Sequence, residues 1–389
     1  MTIAPAPGRT EIKRDSLHHR LMWAIAAVLM IPATALTVFK LRAQPLFVDF
    51  LVMWTGGRMA IGAPTRIYDF AAIDRAQAWL LGAAAHDRPF PYPPSALLLF
   101  SPLGRLDFWI AGLVWTGLTS AVFAAVCARL FPDRRRVVGV MLVLLIPGAV
   151  WAAISGQVSF FIGALAVGGT ALLRRRPLSA GVLLGIAAVV KPTVLLMAPA
   201  ALVGGAHWRA IAGAAIGGLM MIGVSMAAFG IEPWAAWLAA ALGFLNHILH
   251  DPRFATGIIT PTGLAARLGS SGGSLMVWRV VFVVIGVVMA ALAFRRTDAL
   301  APRLTALIGA GLLASPYAMN YETTLLAPGA VLTMLTATTL WARTLSVLAF
   351  VALCVASFPN VGAAALLVFL GLSAGAALAD QERLRAKTP

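Results

Sequence analysis

Apolar residues fill this chain in long runs, broken by short basic clusters and by Gly/Pro-rich turns, and they rarely alternate with polar positions. A helix needs about 20 apolar residues to cross the hydrocarbon core of a bilayer. The pattern predicts twelve crossings, at roughly 21–39, 107–130, 137–153, 158–173, 178–190, 193–206, 209–229, 275–294, 303–316, 322–341, 344–358 and 361–379. The run 95–103 is too short to span and predicts an interfacial or re-entrant helix. The two runs flanking Lys191-Pro192 are also short and predict a tilted or broken hairpin. Two stretches between crossings are long, about 40–106 and 230–274. Loops of such length are uncommon unless they are functional. In the first, 50–61 and 71–84 carry helical periodicity and predict short amphipathic helices on the membrane surface. Tyr92-Pro93-Pro94 then stiffens the return, because each proline fixes φ and bars helix before it. The expected architecture is an all-α polytopic membrane protein, with tails at 1–20 and 380–389 and one transmembrane domain over 21–379.

Composition supports this class. The chain is 60% hydrophobic and 11% charged, where a soluble domain carries about 25% charged residues. The net charge of +16 would suggest nucleic acid in a soluble protein, but here the basic residues sit in clusters between apolar runs. That is the positive-inside signal. It places Arg134-Arg135-Arg136, Arg174-Arg175-Arg176, Arg209, Arg295-Arg296, Arg343 and both termini on the cytoplasmic side of a bacterial inner membrane, and both long loops outside. With this orientation eight of the 14 acidic residues fall on the outer side. Cys127 and Cys354 lie in separate apolar runs and form no disulfide or metal pattern. No internal repeat is visible, which weighs against a secondary transporter. The alternatives to an interfacial enzyme are such a transporter, or a polymerase or ligase of surface polysaccharide.

Six constellations hold groups capable of chemistry. Asp49 opens a helical stretch just after the first crossing; it serves either as an N-cap or as a general base at a cavity mouth. Tyr68-Asp69 follows a Gly62-x-Pro64 turn and either lines a sugar site or caps the next helix. Ser155-Gly156-Gln157 makes a turn with an amide at membrane depth. Lys191 precedes a helix-breaking proline; it snorkels, or it meets a counter-charge such as a lipid phosphate. Asn320-Tyr321-Glu322 ends with an intramembrane carboxylate, a functional group by default unless it merely pairs with an arginine such as Arg58. His247 and His250 share a helix face beside Asp251 and would supply two ligands to a divalent metal, too few for a firm assignment. Arg253 and Arg267 are phosphate contacts or solvated charges. No motif calls for a cofactor.

In order along the chain, Asp49-Phe50…Trp54…Arg58…Gly62-x-Pro64…Tyr68-Asp69, Tyr92-Pro93-Pro94, Gly156-Gln157-Val158, Arg176-Pro177-Leu178…Gly181…Gly185, Lys191-Pro192, Trp208-Arg209-Ala210 and Ala314-Ser315-Pro316-Tyr317…Tyr321-Glu322 resemble glycosyltransferase family 87 over roughly residues 20–345. The resemblance implies a GT-C fold with a large first periplasmic loop, an outward active site and a polyprenyl-phosphate sugar donor, mannose by default. It implies inverting transfer to a lipid or glycan acceptor, with Asp49 as base. Lys191, Arg58, Arg253 and Arg267 are then the candidates to hold the donor phosphate. Tyr68, Asp69, Gln157, His247, Asn320, Tyr321 and Glu322 are the candidates to bind sugar or acceptor.

Overall fold

The computed structural model describes residues 9–81 and 88–385. Parts of both expected tails, and residues 82–84 of the second expected surface helix, lie outside the described residues. The described chain is helical and carries no strand beyond a single antiparallel bridge between Ile258 and Met319.

Helix α1 (Arg9–Leu41) leads into the first long loop, which holds α2 (Phe50–Met59), α3 (Phe70–Leu81) and α4 (Leu97–Leu103). Helix α3 exposes Phe70 as a surface helix would, but α2 departs from the expectation. Phe50 to Gly57 are all buried, and the Phe50 ring stacks on Phe108 and Trp115 at 6.2 and 6.4 Å between centroids. Its apolar residues ring the helix, so it buries all round instead of lying on a surface. Helix α4 is the short helix expected at 95–103, and it packs against α2.

Next come α5 (Phe108–Ala128), α6 (Arg136–Leu145) and α7 (Pro147–Ser155). The crossing expected at 137–153 is the pair α6–α7, bent by 64°. Pro147 bars the α region at the residue before it, and Ile146 accordingly adopts φ −61°, ψ 150°. Helices α8 (Ser159–Leu172) and α9 (Pro177–Val190) are 14 residues each, about 21 Å at 1.5 Å per residue. The crossing expected at 193–206 shrinks to a turn and the seven-residue α10 (Ala198–Gly204). Lys191, ahead of Pro192, is held extended at φ −140°, ψ 83°, which realises the expected break.

Helix α11 (Trp208–Phe229) packs on α9 closely enough that a Cβ on Gly185 would overlap the Ala214 carbonyl. Such small-residue seams let membrane helices approach. The second long loop folds into α12 (Glu232–His250), α13 (Pro252–Ala255) and α14 (Pro261–Arg267). Helices α15 (Gly272–Arg296), α16 (Leu300–Ala314), α17 (Thr323–Thr336), α18 (Leu340–Ala356) and α19 (Gly362–Arg385) complete the chain.

Five described helices are long and apolar enough to span: α1, α5, α11, α15 and α19, with the bent α6–α7 pair as a sixth. Their outward faces carry Leu113, Leu118, Met276, Val277 and Val368, all exposed, as lipid-facing surface requires. Shorter helices such as α16 and α17 are buried along almost their whole length. The protein is a multi-pass membrane protein, with half-length helices packed inside a shell of full-length ones. Of the twelve crossings read from hydropathy, five or six match helices of full spanning length among the described residues and the others are shorter apolar helices, because hydropathy does not distinguish a buried helix from a spanning one.

Candidate active site

The half-length helices leave a chamber of about 560 Å³ at one end of the bundle. Its walls come from the first loop, the α7–α8 turn, the break after α9, helix α12 and the segment between α16 and α17.

Asp49 sits at the N-cap position of α2, yet its side chain caps nothing. Its carboxylate turns into the chamber, where Arg88 Nη1 donates to Oδ1 at 2.7 Å and Gln157 Nε2 donates to Oδ2 at 2.9 Å. The backbone around it is tied to the end of α7. Phe47 N–H donates to the Ile154 carbonyl at 2.8 Å, and Asp49 N–H to the Ser155 carbonyl at 3.1 Å. Gly156 makes the turn that allows both. It lies at φ +73°, and a Cβ there would stand 2.6 Å from the Phe50 Cβ, so glycine is required by conformation and by space. The turn thus sets the register of Asp49 and delivers Gln157 to it.

On another wall, Lys191 caps the end of α9. Its ammonium pairs with Glu322 Oε1 and lies 5.4 Å from the Tyr321 ring centroid. Glu322 is 1% exposed, and its Oε2 has no partner among the described residues. Each charge makes the other's burial tolerable, since a lone ion in such a place costs several kcal/mol. The partner of Glu322 is therefore Lys191 and not Arg58. Arg58 is exposed and lies 5.3 Å from the Trp54 ring, away from the chamber lining.

The aromatic wall is built by the first-loop return. Tyr68 donates its hydroxyl to the Tyr92 carbonyl at 2.9 Å, Phe90 meets both rings edge-on, and Trp237 of α12 donates to the Pro91 carbonyl at 3.3 Å. Burial pushes the Tyr92 phenol well above its ordinary range, and the charges of Glu322 and Asp49 add to the rise. Burial does the same to Tyr68. Both phenols are thereby held in the protonated form, and neither is suited to act as a base. Opposite, Asn320 N–H donates to the Gly257 carbonyl and its side chain to the Ser357 carbonyl, both at 2.9 Å. The Asn320 Oδ1 is buried without a partner among the described residues.

Of the candidates read from sequence, Asp49, Tyr68, Gln157, Lys191, Arg253, Asn320 and Tyr321 line this chamber, and Glu322 stands behind Lys191. Four others do not reach its lining: Arg58, Asp69, His247 and Arg267. Asp69 accepts from the backbone N–H of Ala71 and Ala72 and caps α3. Arg267 donates to the Asn360 carbonyl at 3.3 Å. His247 packs its ring on Phe70 and Phe254, near Asp251. Arg253 does line the chamber while forked onto Asp251, whose carboxyl it holds below the usual range through hydrogen bonds. No three His, Cys, Asp or Glu side chains gather as a metal site among the described residues, and His250 Nδ1 lies 2.9 Å from the Asn246 carbonyl of its own helix.

Arg88 was not visible in the sequence pattern. Its backbone carbonyl accepts from the fully buried Gln77 at 2.9 Å, and its guanidinium lies 5.8 Å from the Phe254 ring. The only local signal is its place ahead of Pro89, Pro91, Pro93 and Pro94, a segment too stiff to be an idle loop.

The arrangement juxtaposes a carboxylate, a buried ammonium and aromatic faces in one chamber. Comparison with known proteins agrees with the reading from motifs. A stretch of 81 residues, 21% of this chain, is 33% identical to the polyprenol-phosphate-mannose-dependent alpha-(1-2)-phosphatidylinositol pentamannoside mannosyltransferase of Mycolicibacterium smegmatis. The chain spans only 18% of that enzyme's length in this match. No solved structure matches. Residues 90–316, more than half of the chain and including Gln157, Lys191 and Arg253, match the glycosyltransferase family 87 pattern, while Asp49 and Glu322 join the site through the fold. On that match the chain belongs to glycosyltransferase family 87.

Proposed function

We propose that this protein transfers a hexose, mannose in the first instance, from a polyprenyl-phosphate carrier to a hydroxyl of a lipid or glycan acceptor, with inversion. The observation that carries the reading is that Asp49 and Lys191 border the same chamber from different walls. Asp49 takes the proton of the acceptor hydroxyl as its oxygen attacks the anomeric carbon. The bond from that carbon to the phosphate oxygen breaks, and its electron pair leaves with the phosphate. Lys191 and Arg253 hold the charge that develops there. Gln157 and Arg88 each occupy one carboxylate oxygen of Asp49 and orient the remaining lone pairs toward the acceptor. Tyr68, Tyr92 and Trp237 offer the apolar faces on which a sugar ring rests.

The charge distribution supports an outward chamber in a bacterial inner membrane. Pro316 lines the chamber at one end of α16, and Arg303 lies near the other end of the same helix. About 20 Å of helix separates them, and the arginine-rich turns cluster at the far end, the side the positive-inside rule assigns to the cytoplasm.

The test is to incubate the purified protein with polyprenyl-phosphate sugars and membrane lipid extract, and to follow products by mass spectrometry. A new glycolipid formed by the wild type and absent with Asp49→Asn is the expected result. Full transfer by a folded Asp49→Asn protein would overturn the assignment of the base. A substrate that crosses sealed vesicles unchanged would instead favour a transporter.

A further inference from the structure

A second cavity, of about 450 Å³, opens at the opposite end of the bundle from the chamber, between the end of α10, the start of α11 and the α15–α16 turn. It is lined by His207, Arg295, Arg296, Thr297, Asp298 and Arg303 among others. Basic residues at this end are ordinary topology signals, and Arg295 and Arg296 alone, both exposed, would carry no weight. Arg303 is different. It is 4% exposed, inside an apolar bundle. One Nη2 hydrogen bond goes to the Phe294 carbonyl at 2.9 Å, and the same group pairs with Asp298 at 2.7 Å. Its Nε is buried with no partner among the described residues, as is the Nε2 of His207.

The charge does not balance. Three arginines face one carboxylate in the cavity, and that carboxylate is 61% exposed at the rim. Arg174, from the α8–α9 turn, lies close enough to act electrostatically on Arg303 as well. Burial, followed by the charge of Arg303, lowers the His207 pKa and keeps its ring neutral. A buried guanidinium with an unmet N–H and excess positive charge around it is stabilised by a multidentate anion. Phosphate oxygens match the arginine fork in geometry and charge.

We infer that this cavity is a phosphate-binding site on the face opposite the reaction chamber, whose occupant is the phosphate group of an anionic phospholipid of that leaflet or free phosphate. A headgroup there would join α10, α15 and α16, with its acyl chains running along the exposed apolar face of α15, where Val284, Val288 and Leu292 stand clear of the protein. Basic pockets between helices at a membrane surface recognise lipid headgroups in this way. The inference is independent of the reaction proposed above.

The full-length protein, released from nanodiscs of phosphatidylcholine mixed with phosphatidylglycerol, is weighed by native mass spectrometry. The expected result is selective retention of phosphatidylglycerol, reduced about tenfold in Arg303→Gln and in Arg296→Gln, as loss of one charge-assisted contact implies. Arg296 lies on the exposed rim, so the second variant reads the site even where the first does not fold. In parallel, inorganic phosphate is titrated against the thermal midpoint in neutral detergent. A phosphate-dependent rise that both variants abolish, without lipid selectivity, supports the site with free phosphate as its source. Equal retention of both lipids together with no effect of phosphate overturns the proposal, as does unchanged lipid and phosphate binding in both variants.

Discussion

Asp49→Asn leaves a group of the same shape between Arg88 and Gln157 but removes the proton acceptor. General-base catalysis is worth about 10²–10⁴ in rate, so turnover should fall by that factor with little change in thermal midpoint. Arg88 separates charge from geometry. Arg88→Lys keeps the positive charge but loses the planar fork, and kcat should fall about tenfold with KM for donor nearly unchanged; an unaltered kcat would show that Arg88 does not position the base. The buried pair gives a sharper signature. Lys191→Met strands Glu322, and breaking one side of a buried pair costs about 3–5 kcal/mol. Lys191→Met with Glu322→Leu should recover most of that stability in a thermal melt, yet remain inactive if Lys191 holds the leaving phosphate. Recovery of activity with stability would reduce the pair to a structural role. At this scale the sequence was informative where a charge stood in apolar surroundings: Asp49, Lys191 and Glu322 are conspicuous because a membrane does not hold such residues without cause. Arg88 was illegible because it is one of several loop cations, and its partner lies 39 residues away. Arg58 and Arg267 have the same local character and no seat in the chamber.

Among elements, the α7–α8 turn and the α9–α11 seam make different demands. Gly156→Ala forces a Cβ into the left-handed region, at a cost of about 1–2 kcal/mol, and against Phe50. Because the same turn anchors Asp49, activity should drop further than stability accounts for. Gly185→Leu, remote from the chamber lining, should cost about 1–3 kcal/mol through overpacking and reduce the yield of folded protein more than the specific activity of what folds. Hydropathy identified where the helices are but not how long or how straight they run. Pro192 announces a break, and it appears; Pro147 breaks a run that hydropathy reads as one crossing, and the depth of α8 and α9 depends on neighbours that periodicity does not reveal. Helix α12 shows the converse. Charge parity made 230–274 a loop, although Trp237, Ala241, Phe244, Leu245 and Ile248 repeat at helical spacing and line the chamber, while Leu238 on the other side is 63% exposed.

For the whole molecule, the question is which end faces out. Both native thiols, Cys127 and Cys354, are buried, so the chain offers a quiet background for surface labelling. Arg66→Cys, beside the chamber, should react with an impermeant maleimide in intact cells. Arg175→Cys, in the basic turn after α8, should react only after the inner membrane is opened. The reverse pattern would invert the topology and move the proposed chemistry to the other compartment.

One consequence follows from the two backbone hydrogen bonds that tie Phe47 and Asp49 to the end of α7. They use main-chain atoms, so they survive nearly any change of side chain in the first loop. The backbone of Asp49 takes its coordinates from the bundle and its carboxylate is met by Gln157 from the bundle and by Arg88 from the loop, while Tyr68 and Tyr92 take theirs from the loop. Selection can therefore remodel the walls around Tyr68 and Tyr92 while the seat of Asp49 is kept, provided that Arg88 and its contact to the carboxylate stay. Tolerance of loop exchange outside the buried helix α2 and Arg88, with retained turnover on an altered acceptor, is the evolutionary freedom this architecture grants.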